Sequence, residues 1–232
     1  MSTKSTYNTR KYVALAMFAA LSFVSLFVLH IGGIGGFLSF DVKDAIIMVS
    51  SMIWGPVCGV VISLLVSLIE MFAISSTHFW GFLMNFFSTA VFVAVGSSLY
   101  RYAPKLKKTM TGAVIGLFAS VVVTTATMIV LNLLITPIYM HVPTSTIISM
   151  IIPLLLPFNA LKALINSCIV LIIYKPISMA LKATNCIEKG NESYKFGKTT
   201  IIISVISFIL IIAAVLTLII AFGGEFEWIV SK

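Results

Sequence analysis

Long apolar runs, separated by short polar segments, limit what this chain can fold into. They cover residues 12–30, 57–72, 82–100, 111–135, 146–174 and 199–222, with a shorter run at 45–54 before a Gly-Pro break. A helix needs about 20 apolar residues to cross a bilayer. Hydrophobic residues make up 60% of the chain and charged residues 9%, against about 25% charged in soluble domains. The sequence therefore predicts an all-α integral membrane protein, a six-helix bundle followed by a seventh, C-terminal transmembrane helix.

Lysine and arginine orient the predicted helices, because cytoplasmic loops of membrane proteins carry an excess of both. One orientation leaves Lys43 and Lys232 outside and places most other cations in the cytoplasm: Lys4, Arg10, Lys11, Arg101, Lys105, Lys107, Lys108, Lys175, Lys182, Lys189, Lys195 and Lys198. The net charge of +8 then faces anionic lipid. No basic stripe with interleaved aromatic residues suggests a nucleic-acid partner.

This orientation divides the chain into five predicted segments. They are a cytoplasmic N-terminal segment (1–11), the six-helix membrane domain (12–178), a cytoplasmic basic linker (179–198), the additional helix (199–222) and an extracellular tail (223–232). The protein is expected to be multi-pass in the cell membrane, with its N-terminus in the cytoplasm.

One lysine lies deep in an apolar run. In the stretch IIPLLLPFNALKALINSCIVLIIYK, Lys162 follows Asn159 by three residues and precedes Asn166 by four. This spacing puts the three side chains on one helix face. A lysine near the bilayer centre costs roughly 2.5–3.5 kcal/mol on insertion scales, so we expect this face to point into the bundle.

Further polar residues fall near the outer ends of the predicted spans, namely Glu70, Asn85 and Asn132. Together with Asn159 and Lys162 they predict an outward-facing polar pocket; the alternative is that they make structural hydrogen bonds alone. Either Glu70 or a ligand's acceptors with water would offset the charge of Lys162. Apolar and aromatic walls suit a flat, amphipathic ligand, and the candidates are Leu38, Phe40, Phe79, Trp80, Phe82 and Phe158. The glycine-rich loop at 31–44 is a candidate cover for the pocket.

The first helix carries small residues at helical spacing. Ala16 and Ala20 are four apart, with Ala19 beside them. Such spacing lets another helix approach closely, either from a partner protein or from within this bundle.

Several functions have no support in the sequence. No GxxxxGK[ST] motif suggests a P-loop ATPase, no cluster has metal-ligand spacing, and no serine has a catalytic setting. We therefore expect no catalytic residues, no metal and no enzymatic activity.

Two stretches together resemble a known family. They are FLSFDVKDAIIMVSSMIWGPVCGVVISLL and PFNALK, supported by GFLMNF and by Asn132. With the six-helix core and the small-residue face, they resemble the substrate-binding S components of energy-coupling factor (ECF) transporters, and within them the riboflavin-specific members. The resemblance covers roughly residues 10–180.

The resemblance implies a function and a set of partners. S components capture a vitamin from outside and associate with a membrane scaffold subunit and two ATPases. Here it implies riboflavin as transported substrate rather than cofactor, a bacterial cell membrane, and scaffold contact through Ala16 and Ala20. The implied substrate-binding residues are Leu38, Phe40, Asp41, Asp44, Asn85, Asn132, Asn159 and Lys162. The seventh helix and acidic tail have no counterpart in the six-helix pattern.

Three alternatives stay open at the level of sequence. The chain would serve another vitamin, act as a membrane scaffold protein without a small ligand, or work as a stand-alone carrier. Carriers of that kind often show inverted repeats, and none is found here.

Overall fold

A computed structural model describes residues 3–28, 31–34, 38–74, 77–187, 197–221 and 227–228 of the chain. Each of the five predicted segments has residues outside those described: 1–2 in the N-terminal segment, 29–30, 35–37 and 75–76 in the membrane domain, 188–196 in the basic linker, 222 in the additional helix, and 223–226 and 229–232 in the tail. The helices are α1 (Thr3–Val28), α2 (Lys43–Trp54), α3 (Pro56–Ala73), α4 (His78–Tyr102), α5 (Met110–Met140), α6 (Thr144–Met150), α7 (Leu156–Ala183) and α8 (Lys198–Ala221). The strands are β1 (Ile31–Ile34), β2 (Leu38–Phe40) and β3 (Glu227–Trp228).

Six helical segments of the described chain are long and apolar enough to cross a membrane. One of them joins α6 to α7 through a π-helical turn, Ile151–Leu155. Helix α2 is too short for a span, since its 12 residues rise about 18 Å at 1.5 Å per residue. The nearly all-helical architecture confirms the predicted fold class, and the chain is a membrane protein.

The bundle has two chemically different ends. At the first, which we call the strand end, α2, α4 and α7 begin and α3 and α5 end. Contacts there join Asp44 to Thr89 and Ala45 to Asn166. At the second, the basic end, Arg101 of α4 contacts the last turn of α2. Lys105, Lys107 and Lys108 follow α4 directly and so lie at this basic end.

A small three-stranded sheet at the strand end joins the segment after α1 to the strand that follows α8. Strand β1 pairs antiparallel with β2, placing Ile31 opposite Phe40. It also pairs antiparallel with β3, placing Ile31 opposite Trp228 and Gly32 opposite Glu227. The predicted loop at 31–44 thus contains a hairpin. Because β3 follows α8, the end of α8 and the loop after α1 share one end of the bundle.

Helix α8 packs along α7. Ser207 of α8 is buried and hydrogen-bonds Cys168 of α7, while Ala214 joins an apolar cluster with residues of β2 and α7. The seventh helix is therefore attached to the bundle along one face. Most of its other large apolar side chains are exposed, as expected of a helix facing lipid.

Small residues set the spacing of the helices toward the basic end. A Cβ added at Gly116 of α5 would lie 2.7 Å from the Gly96 carbonyl oxygen of α4. Nearby, the Ser51 hydroxyl donates to Ser97 (2.8 Å). Helix α2 is buried on nearly all sides, which explains why its sequence is apolar without a polar face.

Candidate binding site at the strand end

Lys162 lies at the centre of the candidate site. Its side chain is 8% exposed, and its Nζ lies 2.8 Å from Oδ2 of Asp41. It also donates to the Ser39 carbonyl oxygen at 3.2 Å. Both partners belong to the segment that runs from β2 into α2, so one lysine holds that segment on α7. Of the two alternatives for offsetting this charge, Glu70 is wrong, since the carboxylate that pairs with Lys162 belongs to Asp41.

Glu70 pairs with a different lysine. Its Oε2 accepts a short hydrogen bond from Lys43 Nζ, and its Oε1 accepts from Asn85 Nδ2 at 2.9 Å. Lys43 Nζ also lies 4.0 Å from Oδ2 of Asp41. The network therefore runs without a break from Asn85 through Glu70, Lys43 and Asp41 to Lys162, and it joins α4, α3, α2 and α7.

Asn166 fixes the position of this network on α7. Its Nδ2 donates to the Asp41 carbonyl oxygen (3.0 Å), and its Oδ1 accepts from the Ala45 amide (2.9 Å). That amide is one of the first N–H groups of α2, which have no partner inside the helix. The asparagine thus satisfies the start of α2 and sets the distance between Asp41 and Lys162.

Asp44 lies on the same turn of α2 and points toward α4. Its Oδ1 accepts a hydrogen bond of 2.6 Å from the Thr89 hydroxyl, and its side chain is buried. An acidic residue in the first turn also suits the positive end of the helix dipole. Asp44 is therefore held by the bundle and sits beside, rather than within, the chain of ion pairs.

Asn132 and Asn159 are buried but bond within their own helices. Asn132 Nδ2 donates to the Met128 carbonyl oxygen at 2.7 Å, and its Oδ1 accepts from Thr136 at 2.9 Å. Asn159 Nδ2 donates to the Leu155 carbonyl oxygen at 2.7 Å. Leu155 ends the π-helical turn, and such turns are frequent at functional sites. Neither amide is tied by these bonds to a neighbouring helix.

The hairpin supplies an apolar cover. Leu38 and Phe40 alternate with Ser39 along β2, and both are buried against Phe158 and other residues of α6 and α7. This two-residue period is what a strand with one buried face requires. Among the other predicted wall residues, Phe79 is 55% exposed and therefore lies at the surface.

An open cavity of about 420 Å³ lies at the strand end between α4 and α5. Its lining residues are Thr77, His78, Trp80, Ile138, Tyr139 and His141. Tyr139 hydrogen-bonds Thr136, which in turn donates to Asn132. A hydrogen-bonded row along α5 thus leads from the cavity to a buried predicted site residue. The volume falls within the roughly 300–1,000 Å³ typical of ligand pockets.

On α1, Ala16 and Ala20 are exposed, whereas Ala14 and Phe18 face the bundle. Ala19, beside them, packs against the apolar core of the bundle. Ala16 and Ala20 form a strip of small residues flanked by exposed Met17 and Leu21, and small residues at this spacing let another helix approach closely.

Sequence reasoning misses Lys43 and Thr89, and it finds Asn166 only in part. Lys43 was placed in an outer loop, yet it is among the largest fully buried side chains. Its signal was the acidic residue Glu70 in a neighbouring span, which needs a cation of its own. Thr89 gave no signal among many membrane serines and threonines. Asn166 was predicted on the Lys162 face but without its role in holding α2.

The side chains at the strand end offer hydrogen-bond donors. The Lys162 ammonium lies beneath the hairpin, and Asn85, Asn132 and Asn159 are further amide donors on α4, α5 and α7. Within the described residues, no three His, Cys, Asp or Glu side chains are grouped to hold a metal ion. The arrangement suits a neutral ligand that carries several hydrogen-bond acceptors and a broad apolar face.

The fold is that of a helical-bundle membrane protein, and the buried polar network marks one of its ends as a candidate binding site. The chain matches the family described as ECF transporter, substrate-specific component, over residues 10–174. It belongs to that family, and the family decides against a membrane scaffold without a ligand. Helix α8 lies beyond the matched residues.

Two similar proteins carry the comparison further. The riboflavin transporter RibU of Staphylococcus aureus (strain TCH60) is 24% identical over 181 residues, which cover 75% of this chain and 94% of that protein. A solved structure described as "Structure and mechanism of the S component of a bacterial ECF transporter" has a TM-score of 0.63 and 24% identity, and it covers 75% of this chain and 99% of that one. The structural likeness supports the shared fold.

Proposed function

We propose that this chain captures riboflavin at the strand end and presents it for uptake as the substrate-binding subunit of an ECF-type transporter. The observation that carries the proposal is the Lys162 ammonium held under the β1–β2 hairpin, on a helix face shared with Asn159. The likeness to a riboflavin transporter over 94% of that protein supports this choice of ligand.

Riboflavin matches the chemistry of the site. Its ring system is flat and apolar on both faces, while its carbonyl oxygens, ring nitrogens and ribityl hydroxyls accept hydrogen bonds. Lys162, Asn132 and Asn159 supply donors to that edge. Asn85, Asp41 and the first turn of α2 at Asp44 are close by. Leu38 and Phe40 cover the ring. No covalent step is involved.

Binding in this scheme exchanges one set of hydrogen bonds for another. Lys162 now donates to Asp41 and Ser39, and the two buried asparagines donate to carbonyls of their own helices. A ligand has to replace these hydrogen bonds. Its binding free energy is therefore the difference between the free energies of the old and the new hydrogen bonds, which are similar in size. Loss of one donor then costs more than one neutral bond, because a buried partner is left unsatisfied.

We further infer that the strand end faces the outside and that the N-terminus is cytoplasmic. The supporting observation is the clustering of Lys and Arg at the other end, which is typical of cytoplasmic loops. The exposed strip of Ala16 and Ala20 would contact the scaffold subunit. Two partner ATPases would supply the energy for uptake, and the chain itself would catalyse no reaction.

The first experiment is spectroscopic. The full chain is purified in detergent without added ligand, and its absorption is recorded from about 300 to 550 nm. Flavin bands that denaturation releases as free riboflavin are the expected result, together with quenching of added riboflavin fluorescence by protein stripped of ligand. A colourless protein that leaves riboflavin fluorescence unchanged would contradict the riboflavin assignment and favour another vitamin.

The partner proposal has its own test. Replacing Ala16 and Ala20 together by leucine should abolish riboflavin uptake in cells, while the purified variant binds riboflavin like the wild type. Ala126→Leu on α5 is the matched control, since Ala126 is also exposed but lies on another helix. If uptake survives the double change, scaffold contact does not use this strip.

A further inference from the structure

We propose that Lys43 is a positioning residue of the binding site, which takes over the Asp41 carboxylate when riboflavin draws Lys162 away from it. This inference rests on the proposed function and deepens it. Lys43 does not touch the ligand in this scheme. It acts through Asp41, and so determines how readily Lys162 becomes available as a donor.

The geometry of Asp41 carries the inference. A single oxygen, Oδ2, lies 2.8 Å from Lys162 Nζ and 4.0 Å from Lys43 Nζ. The first distance is a hydrogen bond, and the second is an ion pair just beyond hydrogen-bond range. Asp41 thus stands between two ammonium groups and is closer to the one that the ligand needs.

Burial makes a second cation beside Asp41 favourable. Asp41 is fully buried and Lys43 is 1% exposed, so bulk water does not compensate a charge in this region. Breaking an ion pair in a buried place is strongly unfavourable. When Lys162 turns to a neutral ligand, Asp41 keeps its charge and loses an ion pair that Lys43, at 4.0 Å, is placed to replace. Lys43 reaches it by a shift of about 1 Å, which the flexible four-carbon stem of a lysine allows.

Glu70 and Asn85 determine whether Lys43 is able to move toward Asp41. Lys43 donates to Oε2 of Glu70, while Asn85 donates to Oε1 at 2.9 Å. Asn85 therefore keeps part of the Glu70 carboxylate satisfied as Lys43 moves toward Asp41. A lysine has three donors, so Lys43 can hold both carboxylates in the ligand-bound state.

The competing explanation is that Lys43 does no more than neutralise Glu70. The two explanations differ in a pair of variants. Lys43→Met removes one positive charge, while Lys43→Met with Glu70→Gln removes the pair and restores the charge balance. If Lys43 serves Glu70 alone, the double variant regains wild-type affinity. If Lys43 serves Asp41, the double variant stays weak.

The experiment measures riboflavin affinity by fluorescence quenching of the full chain in detergent. We expect Lys43→Met to weaken binding about tenfold, within the roughly 2- to 150-fold range of coupled neighbours. The double variant should remain at least about fivefold weaker than Glu70→Gln alone. Comparing the double variant with Glu70→Gln keeps the test valid if the single lysine variant does not fold.

A second cycle tests the coupling to Asp41 directly. In an Asp41→Asn background the shared carboxylate is gone, so adding Lys43→Met should change affinity by less than about twofold. Independent, additive losses would overturn the inference, as would wild-type affinity in the double variant with Glu70→Gln. If the wild type does not bind riboflavin, the proposed function falls and the inference with it. If the wild type binds riboflavin and Lys162→Met weakens binding, the proposed function is supported. The results for Lys43 then test this inference separately.

Discussion

Each end of the bundle holds cations against α2 or its N-terminal side, buried at the strand end and partly buried at the basic end, and the two ends pair them in different ways. At the basic end, Arg101 donates to the carbonyl oxygens of Met52 and Ile53 in the last turn of α2. Those carbonyls have no partner within the helix and lie at the negative end of its dipole. At the strand end, Lys162 and Lys43 pair with carboxylates from other elements. The arginine is a local cap, whereas the lysines belong to a network with partners that can be exchanged.

Packing also differs between the two ends: it is close and fixed at the basic end and depends on side-chain contacts at the strand end. Toward the basic end, glycines and serines bring helices into backbone contact, as Gly116 does with Gly96. At the strand end, a hairpin and a π-helical turn surround the network. Helices in backbone contact can pack in only one arrangement. A loop that is held by side-chain contacts can break those contacts and move. The comparison therefore assigns stability to the basic end and ligand binding to the strand end, and each prediction below tests that division.

The largest effect is expected at Lys162. Lys162→Met removes a charged donor to the proposed ligand, and a hydrogen bond to a charged group is worth about 1.5–3 kcal/mol. Riboflavin binding should weaken roughly 10- to 150-fold, as measured by fluorescence titration. Affinity within about twofold of the wild type would mean that Lys162 is a structural residue and that the strand end is not where the ligand is held.

Gly116 tests the other half of the division. A valine at this position would press against the Gly96 carbonyl oxygen, so α4 and α5 must separate. Overpacking of this kind costs about 1–3 kcal/mol, which thermal unfolding in detergent should detect. Riboflavin affinity of the folded fraction should not change. Gly197→Val is the matched control, because nothing lies within 4 Å of a Cβ added there. Equal effects of the two variants would show that the close contact does not matter.

Arg101 gives a smaller effect in the same direction. Arg101→Met leaves two carbonyls of α2 without their charged donor, at a place that is only partly buried. We expect the free energy of unfolding to fall by about 1 kcal/mol, with riboflavin affinity unchanged. Weakened binding would mean that the end of α2 transmits its position to Asp41, which lies two residues before the same helix, and the two ends would not be independent.

Much of this architecture could be predicted from the sequence, because bilayer length and charge asymmetry leave few choices. The buried lysine face was also predictable, since Lys162 and its asparagines stand out in an apolar run. The pairing of Lys162 with Asp41, and of Lys43 with Glu70, was not predictable from the sequence. Asp41 and Lys43 lie in a polar segment after four glycines, and such a segment reads as an exposed loop. Contacts with distant helices, from Asn166 to the start of α2, from Lys162 to Asp41 and from Lys43 to Glu70, bring this segment into the bundle.

The C-terminal strand was equally hidden, because a two-residue pairing has no periodic signal. Strand β3 pairs with β1, and this pairing places it at the end of the bundle to which we assign ligand binding. Strand β1 continues through the hairpin to Ser39 and Asp41, the partners of Lys162. Any element that holds β1 in place therefore stabilises the cover of the proposed site without contacting the ligand.

The smallest effect is expected from deleting residues 223–232, which removes β3 and leaves α8 in place. Two paired backbone positions are lost, and a net hydrogen bond contributes about 0.5–1.5 kcal/mol. The hairpin should open more readily, so riboflavin should dissociate about two- to fivefold faster in a stopped-flow chase with unlabelled competitor. Thermal stability of the bundle should change little, since α8 keeps its contacts with α7. A variant that unfolds at lower temperature but releases riboflavin at the wild-type rate would place the strand on the stability side of the division. It would also separate the hairpin from the control of ligand release.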